Sequence, residues 1–254
     1  MEFKENTFIK DIDVFEKERT DILTKEFSNK DIPFKIRKIN LLKNCDLEIP
    51  NTEFLLRSGM FNLQETLISR WLENGKPLVI RFASIPNQPS MPVVYVNTKN
   101  DIERAVKIAQ DFVKKDETIT HLIIRDYVGK DRIPERIVGR YAMLGNNSMP
   151  KDEILEFYPG AKSVEILENA EKSDIKYIRI VRESGKIANL DVPKPYDGFE
   201  EDYKLIRGLL NEQLDKMRLI KNVVAKSRES NGDDIEVCFE FYVIDDKIFF
   251  SDFD

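Results

Sequence analysis

The closing stretch of the chain, Asp234-IEVCFEFYVIDDKIFFSDF-Asp254, decides the fold class. Ile235 to Val243 is rich in β-branched and aromatic residues, Asp245-Asp246 is a polar turn, and Ile248 to Phe253 is apolar again. That pattern predicts a β-hairpin. Acids stand among the hydrophobes on both arms: Glu236 and Glu240 on the first, Asp252 and Asp254 on the second. A carboxylate is costly to bury without a cation or donor partner. Glu240 lies shortly before the turn and Asp252 shortly after it, so the hairpin brings them to one place, where oxygen ligands suit Mg²⁺. The alternative for the same acids is the solvated face of an edge hairpin.

Outward from the hairpin the pattern is mixed. Phe199 to Arg228 predicts a long amphipathic helix, and Asp191 to Gly198 a linker. Arg136–Leu144, Glu153–Phe157, Val164–Leu167 and Tyr177–Val181 predict strands, the last followed by a Ser184-Gly185 turn. Leu122–Tyr127, Val93–Val96 and the apolar run from Pro77 to Phe82 predict three more, and Leu47–Leu56 a short one interrupted by Pro50. Helices are expected over Leu63–Leu72, stopped by Asn74-Gly75, and from Thr98 or Asp101 to about Lys114. Residues 8 to 27 read as an amphipathic helix or a surface arm, and Lys35 to Lys43 as a basic, partly apolar segment. The order is not alternating βαβ. It predicts an α+β fold, two-lobed, with mixed or antiparallel sheets: an arm over 1–30, an N-terminal lobe over 31–115 and a C-terminal lobe over 116–254.

Composition narrows the chemistry. With 254 residues and 41% hydrophobic content the chain can bury a full core. Its net charge of −6 argues against general nucleic-acid binding, which needs a basic face. Cys45 and Cys238 lack zinc-site spacing, and the single histidine, His121, is expected to be structural. No run approaches transmembrane length and the charged N-terminus lacks a signal-peptide core, so no membrane and a cytoplasmic setting are expected. Neither GxGxxG nor GxxxxGK[ST] occurs, so no Rossmann or P-loop site is signalled.

Four segments in order carry a family resemblance. They are Arg37-KIN-Leu41 with Leu47-EI-Pro50, then Pro77-LVI-Arg81-FA-Ser84, then Glu156-FYP-Gly160, then the hairpin with Glu240 and Asp252 twelve residues apart. Residues 35 to 254 thus resemble the ATP-binding domain of the phosphoenolpyruvate synthase and pyruvate phosphate dikinase family, whose nucleotide-binding fold is ATP-grasp-like. The resemblance implies ATP and Mg²⁺ between two lobes. Arg37, Lys38, Arg81 and Arg125 would hold the nucleotide, with Arg81 the catalytic phosphate contact. Glu240 and Asp252 would hold nucleotide and metal. Leu122 to Val128 would be the connecting strand whose edge meets adenine.

Departures from the family pattern are specific. Arg37 stands at its first lysine, Asp254 at an arginine, and Lys162-Ser163 where a Gly-Glu pair is expected. The Gly-rich phosphate loop is replaced by Ile85-PNQPSM-Pro92, whose prolines offer no N–H donors. The family's phosphohistidine domain has no counterpart here. Expected, then, is a nucleotide-binding phosphotransferase or ligase with an unknown acceptor, either a separate protein or a small molecule. The competing expectation is a degenerate, non-catalytic module serving as a binding or scaffold protein. The sequence alone leaves both open.

Overall fold

The hairpin forms as its sequence dictates. In the computed structural model, β9 (Val237–Ile244) and β10 (Lys247–Phe253) pair antiparallel, and Asp245 and Asp246 both take positive φ, at 50° and 56°. Two left-handed residues in succession match the twist of the flanking strands, and Asp tolerates that region. The structure describes residues 5–87, 91–127, 137–144, 152–159, 178–183, 186–191, 198–229 and 235–254. The expected strand Val164–Leu167 and the Ser184-Gly185 turn lie outside them.

Two antiparallel sheets organise the described residues. The first has four strands in the order β1-β4-β2-β3: β1 (Thr52–Leu56), β2 (Leu78–Ser84), β3 (Val93–Val96) and β4 (Ile119–Asp126). The second has six in the order β10-β9-β5-β6-β7-β8, with β5 (Ile137–Leu144), β6 (Asp152–Pro159), β7 (Ile178–Glu183) and β8 (Lys186–Asp191). β8 is a strand that the sequence pattern does not mark, in the residues just before the linker. The α+β class stands, with antiparallel pairing throughout both sheets.

Period-two alternation assigns each sheet a core face. In β2 and β4, Leu78, Ile80, Phe82, Leu122 and Ile124 pack under α3 (Leu63–Asn74) and α4 (Ile102–Lys115). Gly75 ends α3 in a left-handed cap, and a capping box between Thr98 and Asp101 opens the turn into α4. In the second sheet Phe239, Phe241, Val243, Phe250 and Phe253 pack against α5 (Phe199–Ser227) and the end of α1 (Glu5–Phe27). Residues up to 27 therefore continue as helix, with Leu23 and Phe27 buried in that core. No helix among the described residues is long and apolar enough to cross a membrane.

Helix α2 (Phe34–Asn44) wedges between the two cores. Its Ile36 and Ile39 meet Ala83 and Ile123 on the first sheet, while Leu41 and Leu42 join the core of the second. The sheets also touch directly. The free edge of β10 donates Phe250 N–H to Glu48 O, and Ser251 O accepts from the Arg125 guanidinium on β4. These contacts cover part of the β10 edge, which otherwise presents unpaired backbone groups. The faces left over, Val79, Arg81, Ile123 and Arg125 on one sheet and Glu240, Tyr242 and Asp252 on the other, are on the side where the sheets meet.

Candidate functional site

Position on α2 decides which basic residues reach that junction. Lys35 and Lys38 are three apart and share a helix face, whereas Arg37 is turned away. Lys35, Lys38, Arg81, Asp252 and Asp254 line one cavity of about 340 Å³, together with Phe34, Asn87 and Met91. Lys38 is buried and held by three acceptors: Asp252 Oδ1 at 2.8 Å, Asp254 Oδ1 at 2.7 Å and the Phe253 carbonyl. Burial lowers its pKa, but Asp252 and Asp254 more than offset that, and the net shift is upward.

A bulge in β10 puts Asp252 there. Phe250 faces Phe241 in register and Asp252 faces Glu240, so Ser251 is the extra residue. In regular pairing of the same sequence Asp252, two residues on, would point to the same side as Phe250, into the apolar core; the bulge turns the carboxylate out to the cavity.

The remaining cations have no such partners. Arg81 is exposed on β2, and neither it nor Lys35 has a carboxylate within ion-pair distance among the described residues. Arg125 donates Nε to Thr52 Oγ1 and Nη1 to Ser251 O, and its buried Nη2 has no hydrogen-bond partner among the described residues. Burial and then the adjacent charge of Arg81 bring Lys35 down to about 8, against attraction from Asp252, and Arg125 and Lys38 push the same way as Arg81. Four cations thus gather near two carboxylates among the described residues. Of these cations Lys35, Lys38 and Arg81 line the cavity, where an anionic ligand would offset the excess positive charge.

Other expected site residues divide clearly. Arg37 is not in this cleft. It donates to Ile32 O and Phe27 O, lies over the Phe27 and Phe34 rings and lines a separate cavity with Glu26, Asn40 and Asn44. Its role there is to tie α1 to α2. Glu240 lies opposite Asp252 but pairs with Arg140 at 3.0 Å, and Glu156 stands opposite Arg140 on the next strand. Gly160 lies outside the described residues. His121 shares a 2.9 Å contact with Thr120 Oγ1, and burial lowers its pKa.

The connecting strand needs a correction. β4 is flanked by β1 and β2, so its backbone through Asp126 is committed to the sheet, and Tyr127 N–H goes to Pro77 O. No free edge for a base exists along Leu122–Asp126. Where the strand ends, a cavity of about 680 Å³ opens, lined by Pro50, Asn51, Pro77, Tyr127 and Phe249 among others.

The donor set fits a phosphate chain better than a bare metal ion. Asp252 and Glu240 each already hold a cation of the chain. Among the described residues no group of three His, Cys, Asp or Glu side chains is placed to hold a metal. Mg²⁺ bound largely through phosphates and water needs only one or two carboxylates, and Asp252 with Glu240 opposite would supply them once Lys38 and Arg140 turned to the phosphates.

Lys35 and Asp254 are the site residues the sequence reading passed over. Helical spacing from Lys38 was the signal for Lys35; nothing in the sequence reported the bulge that sets the positions of Asp252 and Asp254.

No family model matches the chain, and no curated protein sequence matches it. Solved structures do align. An N5-carboxyaminoimidazole synthetase from Staphylococcus aureus aligns at 14% identity and a TM-score of 0.40, over 86% of this chain and 42% of its own. The D-cycloserine synthetase DcsG aligns at 11% identity and 0.47, over 86% and 60%. A RimK domain ATP-grasp protein from Sphaerobacter thermophilus aligns at 13% and 0.42, over 87% and 58%. The chain spans about half the length of these structures. At such scores the overlay is partial, and the cleft is described by this chain's own two sheets.

Proposed function

We propose that the junction between the two sheets binds the phosphate chain of Mg·ATP and serves phosphoryl transfer to an acceptor that remains to be identified. The observation that carries this reading is the uncompensated cation cluster: Lys35 and Arg81 line the cavity with no carboxylate partner among the described residues, and Arg125 adds positive charge close to Lys35. Arg81 would grip phosphate oxygens, joined by Lys38 once it turned from Asp252 and Asp254, and the metal would neutralise charge along the chain. The larger cavity by Tyr127 and Phe249 offers an apolar place for the base. The order of segments that resembles phosphoenolpyruvate synthase supports the same assignment.

Turnover by the isolated chain is slow in this reading. Phosphoryl transfer depends on positioned donors around the moving group. Pro86 and Pro92, in the loop beside the cavity, have no N–H to give.

The test separates anion from metal. Wild type should be stabilised against heat by ATP, and further by Mg·ATP. Asp252→Asn removes a competing carboxylate and a metal ligand together. It should keep or strengthen the effect of metal-free ATP and lose the increment from Mg²⁺. Wild type unmoved by ATP in either form contradicts the proposal.

A further inference from the structure

We propose that Lys35 is a nucleophilic amine and that the cleft takes phosphorylated aldehydes or ketones as imines on its Nζ. The inference rests on the anion-holding part of the nucleotide reading and adds a chemistry which that reading does not use.

The cavity contains two kinds of cation. Lys38 is fixed between Asp252, Asp254 and the Phe253 carbonyl and keeps its proton. Arg81 is a guanidinium group, which does not act as an amine nucleophile. Lys35 shares the cavity wall with Lys38 and Arg81 but has no ion pair among the described residues. The charged groups around it are Lys38 on its own helix, Arg81 on β2, Arg125 on β4 and Asp252 on β10, with Asp254 on the same cavity wall. Burial and the nearby cations bring its pKa to about 8, so at neutral pH a useful fraction is the free amine. A lysine desolvated and set beside other cations is an activated nucleophile.

The step balances without an added reagent. The Lys35 nitrogen lone pair attacks the carbonyl carbon and a C–N bond forms. The two amine hydrogens leave with the carbonyl oxygen as one water, and a C=N bond remains. Arg81, on the same cavity wall, holds the phosphate while this happens, which makes the attack effectively intramolecular. A cavity of about 340 Å³ admits a small phosphorylated carbonyl compound, and Phe34 and Met91 on its wall give it an apolar portion.

The probe is pyridoxal 5′-phosphate, with pyridoxal as the control lacking phosphate. Each is followed by borohydride reduction and peptide mapping of the whole chain. Expected is modification at Lys35 ahead of the other lysines, at least ten times faster with the phosphate than without it, and rising with pH around 8. Arg81→Gln should remove the phosphate's advantage, and Lys35→Arg should abolish the labelled peptide. Label spread over surface lysines, or pyridoxal reacting at Lys35 as fast as its phosphate, overturns the inference. Saturating Mg·ATP distinguishes it from the nucleotide reading. Lys35 labelled at full rate in its presence supports the amine and defeats the nucleotide. ATP-induced stabilisation without any Lys35 labelling does the reverse.

Discussion

At the scale of single residues, the contrast between two arginines is the most informative. Arg70 is the buried structural arginine: it bonds Asp126 Oδ1 at 2.6 Å and the carbonyls of Ile124 and Asn51. Arg81 is exposed and bonds no carboxylate among the described residues. Arg70→Ala should cost ~3–5 kcal/mol in chemical denaturation, because Asp126 is left buried without its cation. Lys35 behaves in the opposite way. Its folded pKa of about 8 lies below the ordinary 10.5, so the unfolded chain binds more protons between those values and stability rises with pH across that window. Below pH 8 the full penalty applies, at most ~3 kcal/mol and about 1–2 kcal/mol after solvent screening. Lys35→Met should therefore stabilise the ligand-free protein by about that amount at pH 7, with the gain gone above pH 10.5. Urea denaturation midpoints at the two pH values check this, and destabilisation at pH 7 would refute the crowded-cation description. The strand that carries Arg81 was legible from its pattern. The face Lys35 shares was legible only by counting helical spacing from Lys38, and the structure places Arg37 away from the cavity, a placement hidden from motif order, which carries no information on which way a helix faces.

At the scale of elements, period-two and helical patterns marked the strands and helices well. The hairpin, β2, β4 and the long α5 all form where alternation and turn residues placed them. The bulge at Ser251 was not legible, because one extra residue changes no local propensity. The interior position of β4 was hidden for a related reason: strand order depends on contacts distant in sequence. Gly139 in β5 is a further constraint. A Cβ there would come within 2.7 Å of Glu156 O and 2.3 Å of the Phe241 ring, so the glycine is required by close approach and not by φ. Gly139→Ala should cost about 1–3 kcal/mol by overpacking, read as a lower thermal midpoint, with no gain from the better strand propensity of alanine. An unchanged midpoint would mean that Phe241 swings aside freely.

At the scale of the whole molecule, an acidic chain of net charge −6 gathers Lys35, Lys38, Arg81 and Arg125 at the junction of its two sheets. α2 makes that gathering, since the same helix that fastens the two cores also carries both lysines. The α+β class was legible in the order of elements. The shape of the junction was not, because it depends on how two separately patterned sheets pack. The direct measurement is a calorimetric titration of Mg·ATP into wild type and Arg81→Ala, with melting curves of both proteins alone. Expected is heat of saturable binding to wild type, with a melting shift equivalent to ~2.7 kcal/mol at a hundred times the dissociation constant. Arg81→Ala should lose that binding while its ligand-free stability stays within about 0.5 kcal/mol of wild type. Equal binding by both proteins, or no binding by wild type with or without Mg²⁺, would contradict a phosphate site at this junction.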